Sequence, residues 1–312
     1  MDFKKFLLLL LLAAIWGASF LFIRVGAPAF GPIALTAVRV DFAALFLVVM
    51  LLLRGGFKPL AGRWGKVLLV GVLNQAAPFC LFAYAELSLP AGITSIINAT
   101  TPMWAAIVAF AWLGDRLNGL RIAGLLVGFG GVVLLIWQDI AQSSALGDDC
   151  LAALAVLAAT LLYGISANMT KRFLTGMDSL AVATGSMIGA AAVLTLLALF
   201  ALPTMPLPPS AWGSVLALGV VCTGVGYMIY FHLIATIGPA RAVSVSFLMP
   251  VLGILWGVMF LDEHVSVTTV VGGAIIVLGT ALASGFLKAP QRSVGQQRGG
   301  AGKDLPCHVD GR

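Results

Sequence analysis

Polar side chains that could bind a small molecule interrupt an apolar stretch around Pro102. In the segment from Ala91 to Asp115, Asn98 and Thr101 precede this proline in a run long enough to cross a bilayer. Pro102 cannot donate to the carbonyl of Asn98, four residues earlier. In hydrocarbon, a freed carbonyl is costly unless protein or a water-filled cavity receives it. The pattern predicts a membrane helix whose middle faces a polar pocket.

Two further prolines follow a polar residue at the same spacing. Pro78 comes four residues after Asn74, and Pro250 comes four residues after Ser246. We expect the freed carbonyls and the polar side chains to line one pocket, and the alternative is that the prolines only bend helices for packing. The predicted helix breaks are Pro78, Pro102 and Pro250, and the predicted substrate-binding residues of these segments are Asn74, Asn98, Thr101 and Ser246.

Two strong charges, Arg39 and Asp41, lie well inside an apolar run. Each would cost about 2.5–3.5 kcal/mol at a helix centre. They are separated by about 200° around a helix, so one can face the pocket while the other meets a neighbouring helix. Arg39 is a candidate for bidentate binding of a substrate carboxylate, and Asp41 is a candidate carrier of a coupling proton. The alternative is structural: Arg39 satisfies backbone carbonyls, and Asp41 caps or pairs elsewhere.

Aromatic residues supply a second predicted wall of the pocket. Trp16 and Ser19 belong to the sequence W-G-A-S-F, and Tyr163 opens the related sequence Y-G-I-S-A. Tyr227 and Tyr230 are close enough in sequence to share a helix face. Aromatic rings offer apolar area with polar tips, so we include these residues in the predicted substrate site. The alternative is that they pack the bundle or form interface belts.

The elements that position these residues are membrane spans. Hydrophobic residues make up 61% of the chain and charged residues 10%, whereas a soluble domain carries roughly a quarter. Apolar runs of about 20 residues, each enough to cross the hydrocarbon core, recur throughout. The composition therefore predicts an all-α integral membrane protein. The ten predicted spans are residues 6–23, 33–53, 67–87, 92–113, 120–138, 150–170, 178–201, 211–234, 242–261 and 267–287.

The basic residues predict the orientation of these spans. With the N-terminus inside, all 18 lysines and arginines except Arg24 and Arg39 fall in cytoplasmic segments, as the positive-inside rule requires. Acids such as Glu86 and Glu263 fall in the outer loops. Both termini are therefore predicted to be cytoplasmic. The net charge of +6 does not indicate nucleic-acid binding, because the basic residues are scattered singly.

The two halves of the chain repeat each other. A shift of 147 or 148 residues brings W-G-A-S-F onto Y-G-I-S-A, Pro102 onto Pro250 and Asp115 onto Glu263. Each copy has five spans, and five is odd, so the second copy enters the membrane from the opposite side. Inverted repeats are typical of secondary transporters, although a duplication kept only for folding is the alternative. We predict repeats at 1–138 and 139–287 and a disordered cytoplasmic tail at 288–312.

These motifs resemble the ten-helix EamA-type members of the drug/metabolite transporter superfamily. The resemblance is carried by W-G-A-S-F, A-V-R, I-N-A-T-T-P with L-G-D-R-L, and F-L-M-P with L-D-E-H, and it covers about residues 6–287. Asp115 stands where the family usually has Glu. The resemblance implies an inner-membrane exporter of amino acids or other small metabolites, and it leaves the substrate open.

We therefore predict a secondary transporter that moves a small polar metabolite, most plausibly an amino acid, outward by alternating access. The alternatives are another substrate class (drug or cation, sugar, nucleoside) or a non-transporting scaffold. Three isolated histidines argue against an enzyme, and we expect no catalytic residues, metal or cofactor. The expected partners are the substrate and the lipid bilayer, not nucleic acid, with proton coupling as a hypothesis and a monomer or homodimer as the assembly.

Overall fold

A computed structural model describes residues 2–142, 146–201, 203 and 206–285, and its regular elements are helices. Eight helices are long and apolar enough to cross a membrane, and two shorter apolar helices follow them. The predicted all-α fold with ten spans is confirmed. The predicted tail at 288–312 lies outside the described residues. The spans are α1 Phe3–Phe30, α2 Pro32–Leu53, α3 Trp64–Ala85, α4 Ala91–Leu113, α5 Gly119–Gln142, α6 Leu146–Phe173, α7 Ser179–Ala198, α8 Pro209–Ile237, α9 Val245–Leu261 and α10 Val267–Ala283.

The packing of the spans follows the repeat in the sequence. In the first half (α1–α5) and the second half (α6–α10), α1 packs on α9 as α6 packs on α4, and α1 packs on α8 as α6 packs on α3. The helices α2 and α5 each pack on their own counterparts, α7 and α10. Exchanging the two halves therefore reproduces these contacts, as a twofold axis between the copies would. Helices of each half pack against helices of the other half, so neither half forms a separate bundle.

One of the three predicted helix breaks occurs where it was expected. The span α4 is interrupted at Ala99 and Thr100, and helix resumes at Thr101, directly before Pro102. The carbonyl of Asn98 is not left free, because the Thr101 hydroxyl donates to it at 2.8 Å. The break is thus closed by a side chain of the same segment, and the same hydroxyl also lies 3.4 Å from the side-chain oxygen of Asn98.

The breaks predicted at Pro78 and Pro250 are corrected by the structure. In α3, Val72–Ala76 forms a π-helical turn before Pro78, and the span is continuous. In α9, the helix runs through Pro250, and the chain leaves helical geometry earlier, at Val243 and Ser244. A membrane helix can absorb the single bond lost at a proline by local adjustment of its turns. Proline spacing alone therefore does not locate the interruption.

Glycines allow α5 and α10 to approach at backbone distance. A Cβ atom added to Gly124 would lie 2.5 Å from the backbone nitrogen of Ala283, and one added to Gly279 would overlap the backbone nitrogen of Gly128. Small residues four apart on one helix face permit this approach. Because the contacting atoms are backbone, they cannot yield by a side-chain rotation.

We expect Gly124→Ala to lower the stability of the protein and Gly130→Ala, in the same helix, to leave it unchanged or raise it. The first change overpacks the crossing of α5 and α10, at a cost of about 1–3 kcal/mol. No heavy atom of the described residues lies within 4 Å of a Cβ at Gly130, and alanine is the better helix former there. Thermal unfolding of both variants in detergent checks this. Equal melting temperatures would contradict the close crossing.

Candidate functional site

A cavity of about 300 Å³ lies among α1, α2, α3, α4, α6, α8 and α9, and both halves contribute to its walls. The residues predicted to bind substrate all line it, and their role in binding remains a prediction. The other lining residues are mostly apolar or aromatic. The predicted lining residues are Trp16, Ser19, Arg39, Asn74, Asn98, Thr101, Tyr163, Tyr227, Tyr230 and Ser246, and the additional ones are Phe20, Ile23, Phe79, Phe82, Ala167, Cys222, Thr223 and Met249.

Arg39 brings a positive charge into this cavity. Its side chain is 7% exposed, its Nε donates to the Thr223 hydroxyl at 3.1 Å, and its guanidinium carbon lies 3.8 Å from the centroid of the Phe79 ring. Among the described residues, no Asp or Glu forms a salt bridge with it. The Nε bond and the ring fix the plane of the guanidinium, so its two terminal nitrogens form a preorganised fork for a planar anion.

The aromatic residues line the cavity on two sides. The Trp16 ring centroid lies 5.1 Å from that of Tyr230 and 6.3 Å from that of Tyr227. On the α3–α6 side, the Phe82 ring stacks on Tyr163 at 5.9 Å. These pairs join helices of opposite halves, because Trp16 and Phe82 belong to the first half and their partners to the second. The apolar faces would contact the non-polar part of a ligand.

Gln75 is not among the residues predicted from the sequence. Its Nε2 donates to the Tyr227 hydroxyl and to the Ser186 hydroxyl, each at 3.3 Å. Gln75 lies outside the cavity lining, and its hydrogen bond fixes the position of Tyr227 in the cavity wall. The available signal was a second polar residue beside Asn74 within an apolar span. Phe79 and Phe82 were also missed, because phenylalanines are frequent throughout this chain and no pattern sets these two apart.

Asp41 lies outside the lining of the cavity. Its carboxylate accepts a hydrogen bond from the Thr195 hydroxyl of α7 at 2.9 Å, and its side chain is half-buried. The position fits the expectation that Arg39 and Asp41 point to different neighbours, with Arg39 facing the pocket. The role of Asp41 as a proton carrier remains a prediction.

A bundle of apolar membrane-spanning helices around a cavity with a buried charge is the architecture of a membrane transporter. Comparison with protein families agrees: the model described as the EamA-like transporter family matches residues 4–137 and 151–285. The chain belongs to this family, part of the drug/metabolite transporter superfamily. It is a multi-pass inner-membrane transporter.

Individual relatives are distant but cover nearly the whole chain. The probable terminal-alkyne amino-acid exporter of Streptantibioticus cattleyicolor is 26% identical over 291 residues, which are 93% of this chain and 94% of that protein. The uncharacterized inner membrane transporter YedA of Escherichia coli K12 is 26% identical over 273 residues, 86% of each chain. A solved crystal structure matches with a TM-score of 0.66 at 22% identity, covering 92% of this chain and 99% of the other, which shows the shared fold.

We expect Thr223→Val to destabilise the protein more than Thr195→Val does. Both changes remove one hydroxyl that bonds to a charged residue of α2, but Thr223 and Arg39 are buried whereas Asp41 is half-buried. A lost hydrogen bond to a buried charged group costs about 1.5–3 kcal/mol. Thermal unfolding in the same detergent measures both. Equal losses would mean that Thr223 does not hold Arg39.

Proposed function

We propose that this protein exports a small metabolite carrying a carboxylate, an amino acid or a close relative, across the inner membrane. The observation that carries the proposal is the buried guanidinium of Arg39, which faces the cavity without a salt-bridge partner among the described residues. A buried charge is costly unless it is paired. A ligand carboxylate supplies that partner, and a bidentate geometry suits it. An organic cation would be repelled by the same charge.

The remaining lining residues suit the rest of an amino acid. The side chains of Asn98 and Ser246 offer hydrogen bonds to an ammonium or a polar side chain, and the rings of Trp16 and Tyr230 offer apolar and cation–π contacts. A cavity of about 300 Å³ lies at the small end of the range for ligand pockets, about 300–1,000 Å³. These features favour an amino acid over a bulky drug.

Alternating access would use the two halves as the moving parts. The cavity lies between them, and their contacts repeat when the halves are exchanged, which is the arrangement that lets one inverted copy rock against the other. The export direction is supported by the relative named as a probable amino-acid exporter.

The cytoplasmic location of both termini belongs to the same proposal. It is supported by the distribution of basic residues, which the positive-inside rule explains. Lys171 and Arg172 at the end of α6 would then face the cytoplasm, and Arg24 at the opposite end of the bundle would face the outside. Labelling of single cysteines at these ends in intact cells would show a wrong orientation directly.

We expect Arg39→Lys to reduce amino-acid flux at least about tenfold, because a single ammonium cannot reproduce the planar fork of the guanidinium. A tenfold change in rate corresponds to about 1.4 kcal/mol. Proteoliposomes loaded with radiolabelled L-amino acids, a sugar, a nucleoside or a cationic dye provide the measurement. Amino acids should leave, and their carboxamide derivatives should not. Arg63→Lys is the matched control, since Arg63 is exposed and its guanidinium donates to the Phe173 carbonyl, outside the cavity lining.

Three outcomes would contradict the proposal. Transport of carboxamides at the rate of the free amino acids would remove the carboxylate from recognition. Selective flux of the sugar, nucleoside or dye would assign another substrate class, and no flux of any compound would favour a non-transporting scaffold.

A further inference from the structure

A buried carboxyl group lies at the end of α3, outside the cavity lining. Glu86 directly follows this span, and its side chain is 0% exposed. Neither of its carboxyl oxygens has a hydrogen-bond partner among the described residues. Arg24 of α1 donates to the backbone carbonyl of Glu86, so this contact leaves the carboxyl group itself unsatisfied. The sequence predicts that Glu86 lies in an outer loop, and in the structure its side chain is buried.

A second acid, Glu263, acts electrostatically on Glu86. Glu263, just after α9, accepts hydrogen bonds from the backbone nitrogens of Ala91 at 2.7 Å and Gly92 at 3.1 Å. These are the first residues of α4, where the helix dipole and the free N–H groups favour an anion. The carboxylate of Glu263 therefore has hydrogen-bond partners at both oxygens, whereas the buried carboxyl group of Glu86 has none among the described residues. A buried carboxyl group without partners is the one of the two that favours its neutral form.

The other copy of the repeat has no equivalent of Glu86. Arg24 and Glu263 correspond to Lys171 and Asp115, which form an exposed ion pair at 3.1 Å. The repeat places apolar residues, Leu233 or Ile234, at the position of Glu86. The fold can therefore be built without an acid at this position. The buried carboxyl group of Glu86 therefore makes one end of the helix bundle chemically different from the other.

The electrostatic surroundings of Glu86 connect it with the cavity. Burial raises the pKa of its carboxyl well above the usual range; Arg24 lowers this pKa, Glu263 raises it and Arg39 lowers it. These three are the charged groups of the described residues that act on Glu86, from α1, from the segment after α9 and from α2. Arg39 favours the ionised form of Glu86. A ligand carboxylate that neutralises the charge of Arg39 would therefore favour the protonated form of Glu86.

We propose that Glu86 is a proton-binding site of the transport cycle, and that a proton at Glu86 and a carboxylate at Arg39 bind cooperatively. The second part rests on the proposed function, and the first does not. The coupling is reciprocal, since each ligand must raise the affinity for the other by the same factor. The metabolite and the proton would then cross together, and an accumulated amino acid would leave down its own gradient with a proton.

The pH dependence of substrate affinity tests the coupling. The probe is an equimolar mixture of radiolabelled L-amino acids in proteoliposomes, with equal pH on both sides. In the wild type, the half-saturating concentration should rise about fivefold or more from mildly acidic to mildly alkaline buffer, the lower end of usual coupling factors. Glu86→Gln, which resembles the protonated acid, should keep the acidic value throughout.

Two further variants make this result specific. Asp41→Asn should retain the wild-type pH dependence, because Asp41 lies outside the cavity lining and is not among the charged groups that act on Glu86. Glu86→Asp keeps a carboxyl group and should also retain a pH dependence, which guards against a misfolded Glu86→Gln protein. A Glu86→Gln variant with wild-type pH dependence, or an Asp41→Asn variant that loses it, overturns the coupling.

Infrared spectroscopy of the purified protein tests the proton site without any substrate. The wild type and Asp41→Asn should show a protonated carboxyl band at neutral pH that disappears in alkaline buffer, and Glu86→Gln should lack it. If the wild type transports none of the amino acids, the proposed function fails, and this titration still decides the proton site. A wild-type spectrum without a titrating band that Glu86→Gln removes would overturn the site whatever the flux.

Discussion

The buried positive charge of Arg39 is the constraint around which the cavity is arranged. A charge inside a membrane span must find partners within the protein, and Arg39 finds a hydroxyl on α8 and an aromatic face on α3. These contacts tie α2 to a helix of its own half and to one of the other half. The same residue that joins the halves thus brings a positive charge to the cavity wall.

Close backbone contacts elsewhere give that cavity its walls. Glycines bring α5 against α10, and Gly71 and Gly189 do the same for α3 and α7, where an added Cβ would meet the backbone of the opposing helix. With no water to compete, such packing is a main source of helix association in a membrane. Close contacts of this kind also occur between helices that line the cavity, since an added Cβ at Gly219 of α8 would lie 2.7 Å from the backbone oxygen of Arg39 in α2.

The twofold arrangement is broken by charge. One end of the bundle carries an exposed ion pair, Lys171 with Asp115, and the other carries Arg24 with two acids, one of them fully buried. A transporter of inverted copies has nearly equivalent halves, so any difference between its two faces must come from residues outside the repeat pattern. Glu86 is such a residue. Because its charge interacts with that of Arg39, protonation of Glu86 at one face would change the affinity of the cavity for a carboxylate.

Local properties of the sequence were enough to predict the ten spans and most polar residues of the cavity. Hydropathy depends on nearby residues alone, and a polar side chain such as Asn98 or Arg39 within a span has to face protein or water. The interruption before α9, the contribution of Phe79 and the burial of Glu86 were decided only by the tertiary structure. Each depends on which helix lies opposite, and that is set by packing between residues far apart in the chain.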